Sequence, residues 1–311
     1  MEMKSEKVSF KSGGLKIVGD FYKPDGAGPF PVVVMAGGWC YVKELAQPIY
    51  AQEFVRNGMA ALVFDYANMG ESEGEPRQHI DPWQQIDNYH DAISYVETRD
   101  DVDASRVGVW GISYSGGHVL ILAATDPRVR CAVSNVAVVN GLESMRRTHG
   151  AVRFRDLEAA ILNDRRERLK TGKHGYLAMS TEDPQHEIST WPLGEVTRPF
   201  MEYKATTSPN HEHISTIASV AHLLNYNVDT YVRRIINVPV MMTIAEHDDI
   251  THWDLEQAAF NLIPNPTKKL VVFPATTHMT LYSDKSRLQV AAEAHRSWFV
   301  EHLVNAGQQA I

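Results

Sequence analysis

The stretch Val107-Gly108-Val109-Trp110-Gly111-Ile112-Ser113-Tyr114-Ser115-Gly116-Gly117 runs from an apolar, strand-like segment through a glycine-flanked serine into a helix-like one. A serine that attacks a carbonyl carbon must stand clear of the chain on a tight, strained turn, so the residues beside it must be small. Gly111, Ser115 and Gly116 supply that room. The pattern departs from G-x-S-x-G only at its fifth position, where Ser115 is still small. Ser113 is therefore read as a nucleophile. Taken alone, the same residues also describe a strand-to-helix turn whose glycines do no more than permit close packing, so the surroundings must decide.

Unbroken apolar runs recur on either side of this turn, at residues 31–36, 61–65, 107–110, 131–136, 238–244 and 269–273. Runs of this kind suit strands buried on both faces. Residues 8–11 and 15–22, joined by Ser12-Gly13-Gly14, add an antiparallel hairpin. Helical stripes lie between the runs: Ile86, Tyr89, Ile93 and Val96 share one face, and Leu288, Ala291, Ala292, His295, Trp298, Phe299 and Leu303 another. Strands alternating with helices predict an α/β fold with a mostly parallel, doubly wound sheet. In such a sheet the ligand site lies at the carboxyl ends of the strands, where Ser113 falls.

The alternation breaks over residues 142–234, too long a stretch for a connecting loop. It holds a charged helix candidate with Phe154, Leu157 and Ile161 on one face, then an irregular piece, then a second candidate with Ile214, Ile217, Ala218, Ala221 and Leu224 aligned. We read residues 142–234 as an inserted helical cap, with residues 1–141 and 235–311 forming the core. An ordinary pair of surface helices is the plainer alternative.

With 311 residues, 44% hydrophobic and 22% charged, the composition is that of a soluble globular protein. A formal net charge of −8 and a pI near 5.9 argue against nucleic acid or an anionic membrane as partner. A small-molecule acyl substrate is expected instead, and a homodimer is compatible with the sequence. Cys40 and Cys131 stand alone, so neither a disulfide framework nor a metal or redox pair is expected. The start Met1-Glu2-Met3-Lys4-Ser5-Glu6 has no apolar core of a signal peptide, and a cytoplasmic enzyme is the expectation.

A nucleophilic serine needs a base, and the base needs an anion to hold its tautomer. After the run ending at Ile244 comes Ala245-Glu246-His247-Asp248-Asp249-Ile250-Thr251, and after the run ending at Phe273 comes Pro274-Ala275-Thr276-Thr277-His278-Met279-Thr280. The chain order Ser113, Asp248, His278 is the one associated with the α/β-hydrolase fold. Neighbouring side chains point apart, so only one of Asp248 and Asp249 reaches His278. The hydrolase pattern places the acid three residues past a small strand-closing residue, here Ala245, which selects Asp248 and leaves Asp249 to face solvent or cap the next helix.

These features resemble an α/β-hydrolase close to the dienelactone-hydrolase-like and Xaa-Pro-dipeptidyl-peptidase-like branches. Tyr114 after the nucleophile carries the resemblance, as do Phe64-Asp65-Tyr66-Ala67-Asn68-Met69-Gly70-Glu71-Ser72-Glu73-Gly74 and Gly37-Gly38-Trp39-Cys40-Tyr41-Val42-Lys43-Glu44. It covers the two flanks and not the cap, and extends loosely to fungal polyketide-tailoring hydrolases and acyl transferases, which implies a bulky ester or thioester substrate. Dienelactone hydrolases proper use cysteine where this chain has Ser113. A tetrahedral oxyanion needs fixed donors, each contributing about two orders of magnitude in rate. The backbone N–H groups of Tyr114 and Trp39 are the candidates, although many relatives carry histidine where this chain has Ala36 before Gly37-Gly38. No cofactor is implied.

The expectation is thus a serine hydrolase acting on a carboxylic ester or thioester. Carbon–carbon bond hydrolysis or acyl transfer on a polyketide-like substrate is the alternative, and a non-catalytic ligand-binding protein on the same fold is the rival from another class. His211 and His213 are read as solvent-facing rather than metal ligands, His247 as a surface residue, and His149, Arg153 and Arg155 as part of a solvated helix face. Asp65 is read as ordering the loop that follows it.

Overall fold

Strands without a polar face must be covered on both sides, and their backbone donors and acceptors are satisfied only by one another. The computed structural model describes residues 4–305. Its strands are β1 (Glu6–Ser12), β2 (Leu15–Tyr22), β3 (Phe30–Ala36), β4 (Ala60–Phe64), β5 (Val102–Ile112), β6 (Val129–Asn135), β7 (Tyr176–Ser180), β8 (Ser189–Trp191), β9 (Ile214–Thr216), β10 (Val240–Ala245) and β11 (Lys268–Phe273). The helices are α1 (Gln47–Val55), α2 (Pro82–Glu97), α3 (Tyr114–Thr125), α4 (Gly141–Thr171), α5 (Gly194–Thr206), α6 (Ile217–Leu224), α7 (Asp229–Val232), α8 (Trp253–Leu262), α9 (Thr280–Ser283) and α10 (Lys285–Phe299).

Eight strands form one sheet in the order β1-β2-β4-β3-β5-β6-β10-β11. Only β2 runs against its neighbours; the strands from β4 to β11 along the sheet are parallel. The β1–β2 hairpin closes through Gly13 and Gly14, both at positive φ, which glycine adopts without a Cβ clash. The expected runs coincide with these strands to within a few residues. β3, β4, β6 and β10 are almost wholly buried, as a doubly covered sheet requires. Over β5, Trp110 packs between Tyr50 of α1 and His295 of α10, while Tyr89 of α2 accepts the Ala36 N–H and donates to the Trp110 carbonyl. That pair of bonds fixes the tips of β3 and β5 side by side. Among the described residues, no helix is long and apolar enough to cross a membrane.

The segment 142–234 carries α5, α6, α7 and nearly all of α4, and in addition a three-stranded sheet in the order β8-β7-β9. Phe154, Leu157 and Ile161 are buried on α4 as their spacing predicts. The second stripe is corrected at its start. Ile214 belongs to β9, opposite Ala178 of β7, and α6 begins only at Ile217. Thr216 divides the two: it is extended, and its side chain caps α6 by accepting the Ser219 N–H.

Candidate active site

Ser113 stands between β5 and α3 at φ 57° and ψ −117°, a conformation that costs a non-glycine residue about 1–3 kcal/mol. Three backbone bonds hold it there: the Ser113 N–H donates to Asn135 (2.9 Å), and its carbonyl accepts from Gly116 (2.9 Å) and Val138 (3.0 Å). The glycines are needed for space. A Cβ on Gly111 would lie 2.1 Å from the Ser115 carbonyl oxygen, and one on Gly38 would lie 2.8 Å from Ser113 Cβ. Ser115, a small stand-in for glycine by sequence, has a task glycine lacks. Its hydroxyl donates to the Gly37 carbonyl and so accepts from the Tyr66 hydroxyl, which ties the serine turn to the loop after β3.

That loop brings Trp39 beside Ser113. The Trp39 N–H has no acceptor among the described residues, and Tyr114 opens α3, where helical N–H groups are left without intrahelical partners. Both expected oxyanion donors therefore sit on segments that adjoin the serine.

The register of β10 and β11 pairs Ala245 with Phe273, so the loops carrying Asp248 and His278 leave the sheet at the same edge. Asp248 Oδ2 accepts from His278 Nδ1 at 2.8 Å, and Oδ1 accepts the N–H groups of Ile250 (2.9 Å) and Thr251 (2.8 Å). Burial alone would raise the Asp248 pKa, but His278 and these donors outweigh it and hold the carboxyl below its ordinary value. A carboxylate acceptor puts the ring proton on Nδ1 and leaves Nε2 free to act as a base. Asp249 is exposed. Ser113 and His278 line one cavity without a direct hydrogen bond between their side chains, and the cavity measures about 20 Å³. Its walls are apolar and aromatic: Trp39 and Tyr41 come from the loop after β3, and Met179, Trp191 and Phe200 from the segment 142–234.

Against this geometry, the family model of the X-Pro dipeptidyl-peptidase (S15 family) matches residues 13–280. The chain belongs to the X-Pro dipeptidyl-peptidase family. It is 29% identical to "Thiohydrolase aneE" of Aspergillus aculeatus over 263 residues, 82% of this chain and 80% of that one. It is 27% identical to "Acyltransferase drtE" of Aspergillus calidoustus over 259 residues, covering 82% and 81% of the two chains. Among solved structures it superposes on the α/β hydrolase GrgF from Penicillium sp. sh18 with a TM-score of 0.82 at 22% identity, covering 97% of this chain and 100% of that one. The fold is that of the α/β hydrolases, and the protein is an enzyme of hydrolase type.

Three features of this X-Pro dipeptidyl-peptidase family chain were not visible in its sequence. Tyr282 stacks on His278, with ring centroids 5.2 Å apart, and burial pushes its phenol pKa up against a smaller downward pull from Ser113. Glu256 is buried on α8, where its carboxyl accepts the Ala137 N–H; burial first, then the Asp248 charge, drive its pKa well above the ordinary value. Glu195 of α5 is raised chiefly by burial and also by the charges of Asp249 and Asp248.

Several sequence expectations are corrected. His211 and His213 do not face solvent: His211 is fully buried, and the pair forms part of a directed chain. His211 Nδ1 donates to the Cys40 carbonyl (3.0 Å), which makes its Nε2 the acceptor for His213 Nδ1 (3.1 Å). His213 Nε2 then accepts from the Ser180 hydroxyl (2.6 Å), which lies 2.7 Å from the Thr197 hydroxyl. Both rings are held neutral mainly by burial, His211 at about 3 and His213 at about 4. His149 is likewise buried, between the carbonyls of Met145 and Ser189, and Arg153 bonds Asp156 and the Glu187 carbonyl. Arg155 and His247 are exposed as expected. Asp65 orders its loop, accepting the N–H groups of Lys43 (2.7 Å) and Glu71 (2.9 Å).

Proposed function

We propose that this chain is a serine hydrolase that cleaves a carboxylic ester or thioester through Ser113, His278 and Asp248. The observation that carries the reading is the 2.8 Å pairing of His278 with Asp248 at a cavity that Ser113 also lines. Ser113 Oγ attacks the acyl carbon and its proton passes to His278 Nε2, while Asp248 stabilises the resulting imidazolium. The N–H groups of Trp39 and Tyr114 take the negative charge that develops on the carbonyl oxygen. His278 then protonates the leaving alcohol or thiol, and water activated by the same histidine releases the acid from the acyl-enzyme. Residues 142–234 act as the specificity cap, since Met179, Trp191 and Phe200 wall the cavity that Ser113 and His278 also line. The name "Thiohydrolase aneE" supports a thioester as substrate, and "Polyketide transferase claH" of Penicillium crustosum, 26% identical over 286 residues, supports a polyketide-like acyl group.

Acyl transfer to an acceptor other than water is the second reading, favoured by walls that are apolar on nearly every side. The test is covalent labelling with a fluorophosphonate alongside turnover of p-nitrophenyl esters and the corresponding thioesters. Ser113→Ala abolishes both labelling and turnover while the melting temperature holds; retained turnover removes the nucleophile assignment. Product analysis with added alcohols and thiols separates hydrolysis from transfer.

A further inference from the structure

A second cleft, of about 350 Å³, shares no lining residue with the triad cavity. It opens where the loop after β4 meets α4 and α6. His79, His174 and His222 line it from three separate segments, with Arg165 and Arg168 of α4. Its lining contains no carboxylate, in a chain whose formal net charge is −8.

The groups here are short of partners. His79 Nδ1 meets the Thr216 hydroxyl at 2.8 Å, but the Nδ1 of His174 is buried without a hydrogen-bond partner. Among the described residues, no hydrogen bond or ion pair engages the His222 ring or the Arg165 guanidinium, although His222 packs against His79 with centroids 5.6 Å apart. His174 also packs against His79, with centroids 5.4 Å apart. Arg168 is aimed by Asp164 (2.7 Å), whose second oxygen accepts the Gly175 N–H (2.8 Å) and so also fixes the backbone next to His174. Burial, then the charges of His222 and His174 and, behind Asp81's opposing pull, Arg168, hold His79 at about 4. An accumulation of nitrogen donors without acceptors is costly until something negative enters.

We propose that this cleft is a binding site for a tetrahedral oxyanion of the phosphate class, gripped by Arg165, Arg168 and the ring nitrogens of His174 and His222. Planar guanidinium forks with imidazole donors around them match the several acceptor oxygens of such an anion. A metal site fits less well, because the three imidazoles do not converge. The described His, Cys, Asp and Glu groups whose ligand atoms gather within 4.8 Å of one another are Glu44, Asp65 and Glu71, and there the Lys43 ammonium already lies 2.6 Å from Glu71 and 3.6 Å from Asp65. Two guanidinium groups beside the histidines also repel a cation.

Isothermal titration of the full chain with inorganic phosphate, acetate and zinc chloride tests the site. Phosphate binds saturably at one site per chain, more tightly than acetate, and its affinity falls by about tenfold or more in Arg165→Gln and in His222→Gln. Arg165 is exposed and unpartnered, so its replacement leaves the phosphate-free melting temperature unchanged. The proposal is overturned if millimolar phosphate gives no saturable binding, if both variants bind phosphate as the parent does, if acetate binds as tightly, or if zinc binds at one site that His222→Gln abolishes.

Discussion

Replacing Glu256 by glutamine asks whether the triad's surroundings hold one negative charge or two. Glu256 is fully buried; one carboxyl oxygen takes the Ala137 N–H, and the other lies 3.4 Å from the hydroxyl of Thr251, whose own N–H serves Asp248. Burial, and after it the Asp248 charge, push the Glu256 pKa well above its ordinary value, whereas Asp248 is held below its own. A raised folded pKa means that the native carboxyl keeps a proton which the unfolded chain has already released. Native stability therefore falls as pH rises above the unfolded pKa, by about 1.4 kcal/mol per unit for as long as the native carboxyl stays protonated. Glutamine keeps the shape and has no proton to lose. Between about pH 5 and about pH 7, E256Q should therefore gain unfolding free energy over the parent as the pH rises. Urea unfolding of both proteins at the two pH values measures the difference directly. If the offset between them is the same at both, Glu256 is not a neutral group in the native state and the single-charge description of the site fails.

Asp248→Asn lowers kcat by about four orders of magnitude through loss of the correct His278 tautomer, whereas Asp249→Asn leaves kcat unchanged and shifts stability by less than about 0.5 kcal/mol; steady-state kinetics on the pair decides, and equal losses would reverse the assignment. Gly38→Ala drives a methyl group into Ser113 Cβ, 2.8 Å away, and displaces the Trp39 donor. The expected loss is about a hundredfold in kcat, with KM little changed, and full activity in this variant would disprove the close approach. Trp191→Ala removes one wall of the cavity, so activity should shift toward longer or bulkier acyl chains in a p-nitrophenyl ester series; an unaltered chain-length profile counts against the cap's role.

The sheet was legible because its central strands carry unbroken apolar runs, and such runs have few other uses in a chain of this composition. The Ser113 turn was legible because strain demands small neighbours, and the loops after β10 and β11 because Asp248 and His278, which the structure pairs, follow closely on strand ends. α1 left no comparable trace: it buries Gln47 and Glu53 alongside Tyr50 and Phe54, so no apolar stripe marks it. The inserted segment was read as helical because β7, β8 and β9 are too short to produce an alternating pattern. His211 and His213 looked solvated because polar residues in a loop usually are. His211 bonds the Cys40 carbonyl, 171 positions away, and holds His213 in turn, and no local pattern encodes a bond of that range. Tyr282 and Glu256 were missed for the same reason, since each matters through a neighbour brought in by the fold.

A chamber of about 20 Å³ has room for little more than one water molecule. An acyl group on Ser113, as proposed, would fill this space and leave little room beside His278 for a second molecule. The partition between free acid and a transferred acyl product would then depend on which acceptor reaches the acyl carbon through that narrow space, not on the strength of the base.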